Sequence, residues 1–489
     1  MSDPGRPKPG PTLDPENWSE LRALGHRMLD DVLDQMARLR ERPVWTKLPD
    51  EVRASFREKL PTQATPLDAV YRDFQTRIQP YSAGNTHPRF MGWVQGGGTA
   101  IGALAEMLAA GMNANCGGRD HAAIEVERQI ARWSAELFGF PETASGIFVT
   151  GTSMANFIAV RVACTASLGA ASRRAGIAAS GQKLTAYVST AAHGCIRQAV
   201  ELAGFGSEAL RLIPTDSAHR IDLAALRAAI ASDRAAGATP FFLVGNAGTV
   251  DTGSIDDLDA LASAACDEKL WFHIDGALGA LAMLSPELRV RFKGIERADS
   301  IAFDFHKWLH APYDAGCVLV RDGEVHRATF ASTPSYLTRM PRGLAAATPW
   351  FTDYTIDLSR SFRALKVWFV IKEHGSRRLG EAIEENVRQA RRLGELIDAE
   401  DAFELLAPVQ LNIVCFRYRV AGYGDAELDR FNDDLVIALQ ESGIAVTSST
   451  TVANKRAIRV NITNHRTRDE DLSLLLDSLK RLAGGLLRR

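Results

Sequence analysis

From about residue 87 to 330 the chain alternates short β-rich runs with alanine-rich helical stretches. The runs fall at 147–150, 186–189, 241–244, 271–275, 300–303 and 317–320. Near-continuous apolar runs of this length predict strands buried on both faces. They imply a mostly parallel central sheet with helices on both sides. The block before it shows helices but no strand. Leu21, Leu24, Met28, Val32, Met36 and Leu39 recur at helical spacing, and a second helix is expected over 67–78, ending near Pro80. Such a block has no core of its own, so it is expected to pack on the main body or on a partner chain. After residue 360 the rhythm changes once more. Helices are expected over 361–373, 378–399 and 469–482, with strands over 410–419, 444–447 and 457–462. The expected organisation is therefore an N-terminal helical segment (1–86), a large α/β domain (87–360) and a small C-terminal α+β domain (361–489).

Composition narrows the function classes. Of 489 residues, 46% are hydrophobic and 24% charged, which excludes global disorder. Lys and Arg number 57 against 59 Asp and Glu, a net charge of −2. That balance gives no electrostatic footprint for nucleic acid or an anionic membrane. The start, MSDPGRPKPG, lacks a secretory pattern and reads as a flexible arm. The most apolar helical stretch, 100–112, is short and carries Glu106, so no membrane span is expected. The six cysteines are scattered, with no CxxC pair. That argues against a zinc site, favours no bound metal, and suits a reducing cytoplasm in which each Cys is a small buried hydrophobe.

Ligands of parallel sheets sit at the carboxyl ends of strands, so the residues just after each run matter most. After the first comes Gly151-Thr152-Ser153 at the start of a helix. This is either an ordinary cap or an anion cradle of free amides and hydroxyls. After the second comes His193, and after the third Thr249, in a polar turn. Asp275-Gly276-Ala277 and His306-Lys307-Trp308 come after the fourth and fifth. A strand-end Asp can cap a turn, and a lone Lys can snorkel to water. In an apolar setting, desolvation would instead lower the Lys307 amine and make it a nucleophile. Taken together, an anion cradle, a His, an acid and a lysine on successive strands are what pyridoxal 5'-phosphate (PLP) requires. The lysine forms a Schiff base, the acid keeps the ring nitrogen protonated and the helix start takes the phosphate.

Further motifs agree. His87-Pro-Arg-Phe, Asp304-Phe-His306-Lys307-Trp308-Leu309, Pro334-Ser-Tyr336-Leu337 and Ser359-Arg-Ser-Phe-Arg-Ala-Leu-Lys-Val-Trp368 join His193 and Asp275-Gly-Ala. With these the sequence resembles the group II PLP-dependent amino-acid decarboxylases, the aromatic-L-amino-acid decarboxylase family, from about residue 15 to the end. The resemblance implies PLP fold type I and a homodimer with active sites at the subunit interface. It implies that Lys307 is the Schiff-base lysine, that Asp275 pairs with the ring nitrogen and that Ala277 packs on the ring. His193 would stack on the ring and meet the substrate carboxylate. Thr152 and Ser153 would hold the phosphate, with His306 and Thr249 close by. Tyr336 would sit on a mobile loop that closes over the partner's site and helps to protonate the substrate carbon. Ser359 would touch the phosphate from the partner chain.

The implied reaction is α-decarboxylation of an L-amino acid, aromatic by default. Aldehyde-forming relatives commonly carry Phe at the loop-tyrosine position, so Tyr336 favours simple decarboxylation. Other readings are aldehyde synthesis, another PLP reaction on the same fold, or an inactive scaffold. Two features depart from the family pattern. Asp304 stands where relatives often carry Asn, and a carboxylate so near a phosphate must pair or point away. Gly96-Gly97-Gly98 suggests a roomy entrance, near which Arg119 either reads an acidic substrate side chain or pairs with Asp120 or Glu125.

Overall fold

A computed structural model describes residues 12–332 and 335–488; Pro334 and all but the end of the N-terminal arm lie outside them. Seven strands form the main sheet: β1 (Ser145–Val149), β2 (Leu184–Ser189), β3 (Leu210–Ile213), β4 (Thr239–Asn246), β5 (Trp271–Asp275), β6 (Ser300–Asp304) and β7 (Gly316–Val320). Their spatial order is β1-β7-β6-β5-β4-β2-β3. β3, β2, β4, β5 and β6 pair in parallel, and β7 runs antiparallel to both β6 and β1. Helices cover both faces, as the apolar runs require: β2, β6 and β7 are buried along their whole length. The edge strand β3 escapes sequence reading because it is four residues long and broken by Arg211, so it makes no continuous apolar run.

The antiparallel β7 matters for the site. Its first residue, Gly316, pairs with Val149 on one side and Asp304 on the other. A Cβ on Gly316 would lie 2.4 Å from the Gly151 Cα. Only glycine there lets the turn after β1 lie against the end of β6.

The second sheet is antiparallel, in the order β10-β11-β9-β8, from β8 (Phe403–Leu405), β9 (Ile413–Tyr418), β10 (Ser448–Val452) and β11 (Lys455–Asn461). The strand expected at 444–447 is displaced. That stretch instead runs beside the N-terminal part of the chain, where Met91 N–H donates to Val446 O at 2.7 Å. The helix Arg363–Asp398 breaks at Gly375 (φ 73°, ψ 155°), giving the two helical halves the pattern predicts. Leu365, Val370, Leu379 and Ile383 join the large core, whereas Ala390, Leu393 and Ile397 join the core under the second sheet. A boundary at 361 thus falls ahead of a helix that serves both cores.

The N-terminal helix Trp18–Ala37 is capped by the Asn17 side chain and buries no residue. Tyr71 donates to Asp31 at 2.6 Å, and Arg40 pairs with Asp471 at 3.0 Å. The second helix is regular only over Leu67–Asp73 and widens at Phe74–Ile78. Trp18, Val32, Leu67, Val70 and Ile78 remain exposed, while Leu21, Leu24, Met28 and Met36 are half-buried and Leu39 is buried, so this chain covers the apolar stripe only in part.

Candidate active site

The carboxyl ends of β4, β5 and β6 lie side by side. Asn246 is in register with Asp275, and Asp275 with Ala302, two residues before Asp304. They open on a cleft of about 520 Å³ that Gly151, Thr152, Ser153, His193, Ala277, His306 and Lys307 also line.

Asp275 is buried and held by a chain of polar groups. Its Oδ1 accepts the Ala277 N–H at 3.1 Å, and its Oδ2 accepts the Asn156 Nδ2 at 3.2 Å. The Asn156 Oδ1 then faces His273 Nε2 at 2.8 Å, so that nitrogen carries the proton. His273 Nδ1 is left to accept from the Ser300 hydroxyl at 2.8 Å, which in turn accepts from Trp271 Nε1 at 2.8 Å. Burial pushes His273 down to about 3, so the ring is a neutral spacer. Burial also raises the Asp275 carboxyl above its ordinary value, opposed by the Ala277 amide, the Lys307 charge and Asn156.

Lys307 differs from expectation. Burial does act to lower its amine, but Asp304 Oδ2 stands 2.9 Å away and Asp275 adds to the field. The net shift is upward, and Lys307 rests as an ammonium. Asp304 is correspondingly shifted down: burial opposes this, and Lys307, His306 and the Thr152 contact outweigh it. The carboxylate that departs from the family pattern is therefore paired. His306 accepts the Ala315 N–H on Nδ1 at 3.1 Å and lies 4.3 Å from the Tyr313 ring, and burial holds it neutral.

These groups fit PLP. Gly151 precedes the 17-residue helix Thr152–Leu168, whose first residues, Thr152 and Ser153, line the cleft. The Thr152 hydroxyl is buried without a partner among the described residues, and a phosphate oxygen would supply one. The Lys307 amine could take the aldehyde as a Schiff base, and the buried Asp275 carboxylate could keep the ring nitrogen protonated.

Lys307, Asp275, Ala277, His193, Thr152, Ser153 and His306 thus share one cleft. Thr249 does not join them: its hydroxyl meets Thr252 at 3.1 Å and accepts the Ser254 N–H at 3.0 Å, so it closes its own turn. Tyr336 and Ser359 are exposed and do not line the cleft; Tyr336 is 73% accessible. Arg119 stacks on Trp350 at 4.6 Å and does not line the cleft, and Glu125 pairs with Arg128. The glycine run is not an open entrance either. A Cβ on Gly96 would lie 2.1 Å from the His306 carbonyl, so this glycine packs on the lysine turn.

Sequence reading missed Asn156, His273, Asp251 and Arg459. His273 and Asp275 sit two apart on one strand, hence on one face, and a lone Asn in an apolar helix was a further signal. Arg459 is buried, and its guanidinium meets only the Trp93, Val250 and Asp251 carbonyls and the Ser448 hydroxyl.

The chain is similar to known proteins along most of its length. Residues 49–419 match the family model described as pyridoxal-dependent decarboxylase conserved domain. The aromatic-L-amino-acid decarboxylase of Bacillus atrophaeus is 32% identical over 473 residues, covering 95% of each chain. The phenylacetaldehyde synthase of Arabidopsis thaliana is 29% identical, covering 93% of this chain and 94% of that one. The crystal structure of Oryza sativa TDC with PLP and tryptamine superposes with a TM-score of 0.89 at 25% identity, covering 97% of this chain and all of that one. The chain belongs to the pyridoxal-dependent decarboxylase family and is a PLP-dependent carboxy-lyase.

Proposed function

We propose that the protein removes the α-carboxylate of an aromatic L-amino acid, giving the amine and CO₂. The observation that carries this reading is the convergence of Lys307, Asp275 and His193 on a cleft whose wall includes Trp93, Val94, Val250 and Leu278. That wall offers apolar area to a flat side chain. Relatives named for aromatic amino acids support the same class. An acidic substrate loses its support, because Arg119 is engaged with Trp350 away from the cleft.

PLP, when bound, supplies an electron sink for the pair released as CO₂ departs. Thr152 and Ser153 would hold its phosphate, and Asp275 would keep a proton on its ring nitrogen. That fixed charge acts in a buried site and favours the charge that develops in the transition state. Lys307 carries the amine that exchanges with substrate and product. His193 stands at the mouth, its Nδ1 accepting the Cys195 N–H at 3.2 Å, which leaves Nε2 to meet a substrate carboxylate. Arg459, a buried cation whose hydrogen bonds go to neutral acceptors and whose charge is felt by the nearby Asp251 carboxylate, lies on the opposite wall.

Tyr336 and Ser359 have work to do only across a subunit boundary. The open stripe of the N-terminal helices supplies apolar surface for such a homodimer, in which each Tyr336 reaches the other cleft. All six cysteines are free, which suits a reducing, cytoplasmic setting. A CO₂-release screen over the aromatic amino acids, with product analysis, tests the reading. Amine with CO₂ is expected; aldehyde with ammonia and peroxide would move the protein to the aldehyde-forming branch, and no CO₂ from any aromatic substrate would overturn the reading.

A further inference from the structure

We propose that Asp304 makes cofactor capture proton-linked: once the phosphate settles at Thr152 and Ser153, one proton stays between it and the Asp304 carboxylate. The inference rests on the use of PLP and not on which substrate is decarboxylated.

Asp304 already occupies the anion side of the cleft. It is 3% exposed, and its Oδ1 accepts the Thr152 N–H at 2.9 Å, the first amide of the helix that would cradle the phosphate. The neighbouring Thr152 hydroxyl is buried without a partner, which marks the same spot as the place for a further acceptor. Carboxylate and phosphate would therefore share one helix start. Before the cofactor arrives, Asp304 is neutralised through its other oxygen by Lys307 at 2.9 Å. Lys307 must give up that contact to reach the cofactor's aldehyde carbon.

Its positive charge leaves with it, and no other group among the described residues takes over the contact with Asp304. His306 faces Asp304 from the same turn at 3.7 Å, but burial is the largest influence on it and lowers it below the ordinary imidazole value. Tyr313 from the next loop and Cys317 from β7 also face it, and burial raises both, so neither adds positive charge. Asp275, behind Lys307 on β5, is itself a carboxylate. Two buried anions in contact do not both stay fully ionised, and the cheapest remedy is one retained proton. A phosphate monoester takes its second proton near pH 6, well placed for this near neutrality.

Titration of the cofactor-stripped full-length protein with PLP between pH 6.5 and 8.5 tests the proposal, read by fluorescence in the absence of substrate. The wild-type dissociation constant divided by that of Asp304→Asn is expected to rise about tenfold per pH unit over this range, because one proton separates the two. With pyridoxal, which lacks the phosphate, the ratio should stay flat. A pH-independent ratio with PLP, or the same slope with pyridoxal, overturns the proposal. Should Asp304→Asn fail to fold, calorimetry of the wild type in buffers of different ionisation enthalpy counts protons directly. Near pH 8, PLP should take up about one more proton than pyridoxal, and equal counts overturn it. Failure of the wild type to bind PLP at all would remove the cofactor assignment and this proposal together, whereas a failed substrate screen leaves it standing.

Discussion

The floor of the cleft and the stretch from Ser335 to Arg360 are built on opposite principles. On the floor, Asp275, Asn156, His273 and Ser300 saturate one another's donors and acceptors, and each is buried. In the stretch, Tyr336, Leu344, Ile356 and Leu358 face solvent. It is tied down at two buried acids, Asp353 by Arg339 and Glu127 by Arg360. One region is finished within a single chain. The other presents side chains that have nothing to act on within it. The floor completes its own hydrogen bonds, whereas the stretch leaves apolar and phenolic side chains in water.

Four changes would break or sharpen that contrast. Lys307→Ala should abolish the visible absorption band of the lysine–cofactor linkage and lower turnover by more than about 10³-fold. A variant that keeps the band would show that the floor's amine is not the one used. Arg360→Ala removes the clasp between the two regions. It leaves Glu127 buried and unpaired, with the Cys116 and Phe148 carbonyls deprived of their donor. The expected loss is about 3–5 kcal/mol in a denaturant titration; a loss under about 1 kcal/mol would mean the clasp is idle.

Tyr336→Phe should do the reverse: stability stays within about 0.5 kcal/mol, since the ring is exposed, while amine formation falls on the order of 10²-fold and aldehyde rises. An unchanged product ratio would detach the stretch from the chemistry. A last effect is acid sensitivity shared by both regions. His273 supports the floor, and His326 bridges Ser145 to the Tyr354 carbonyl; burial pushes each down to about 3. Unfolded, these rings take protons below about pH 6.5; folded, they do not. Stability is therefore whole above that pH and falls by about 1.4 kcal/mol per unit per ring as pH drops towards 3. Urea midpoints at pH 7 and pH 5 would show it, and equal midpoints would refute it.

Legibility in the sequence tracks the same divide. The strand ends were legible because a parallel sheet writes itself as apolar runs, and residues just past several of those runs line the cleft. Lys307, Asp275 and His193 were found that way. The pairing of Lys307 with Asp304 was not, because a residue's neighbours three positions along decide whether burial or Coulomb attraction wins. The direction of the Thr249 hydroxyl and the packing of Gly96 on the His306 carbonyl likewise depend on tertiary contacts that no single-chain pattern records. β3 and β8 were too short to register, and Arg459 looked like any surface arginine until the fold buried it.

Gly375 gives the break in the long helix a mechanical meaning. Upstream of it the helix is bolted to the sheet that carries Lys307; downstream it ends among residues of the second sheet, which lends Ser448 and Arg459 to the opposite wall. Its positive φ is a torsion that a side chain would resist, although nothing crowds the space beside it. A side chain at this position would disturb the join between the two halves of the helix without touching any residue that lines the cleft.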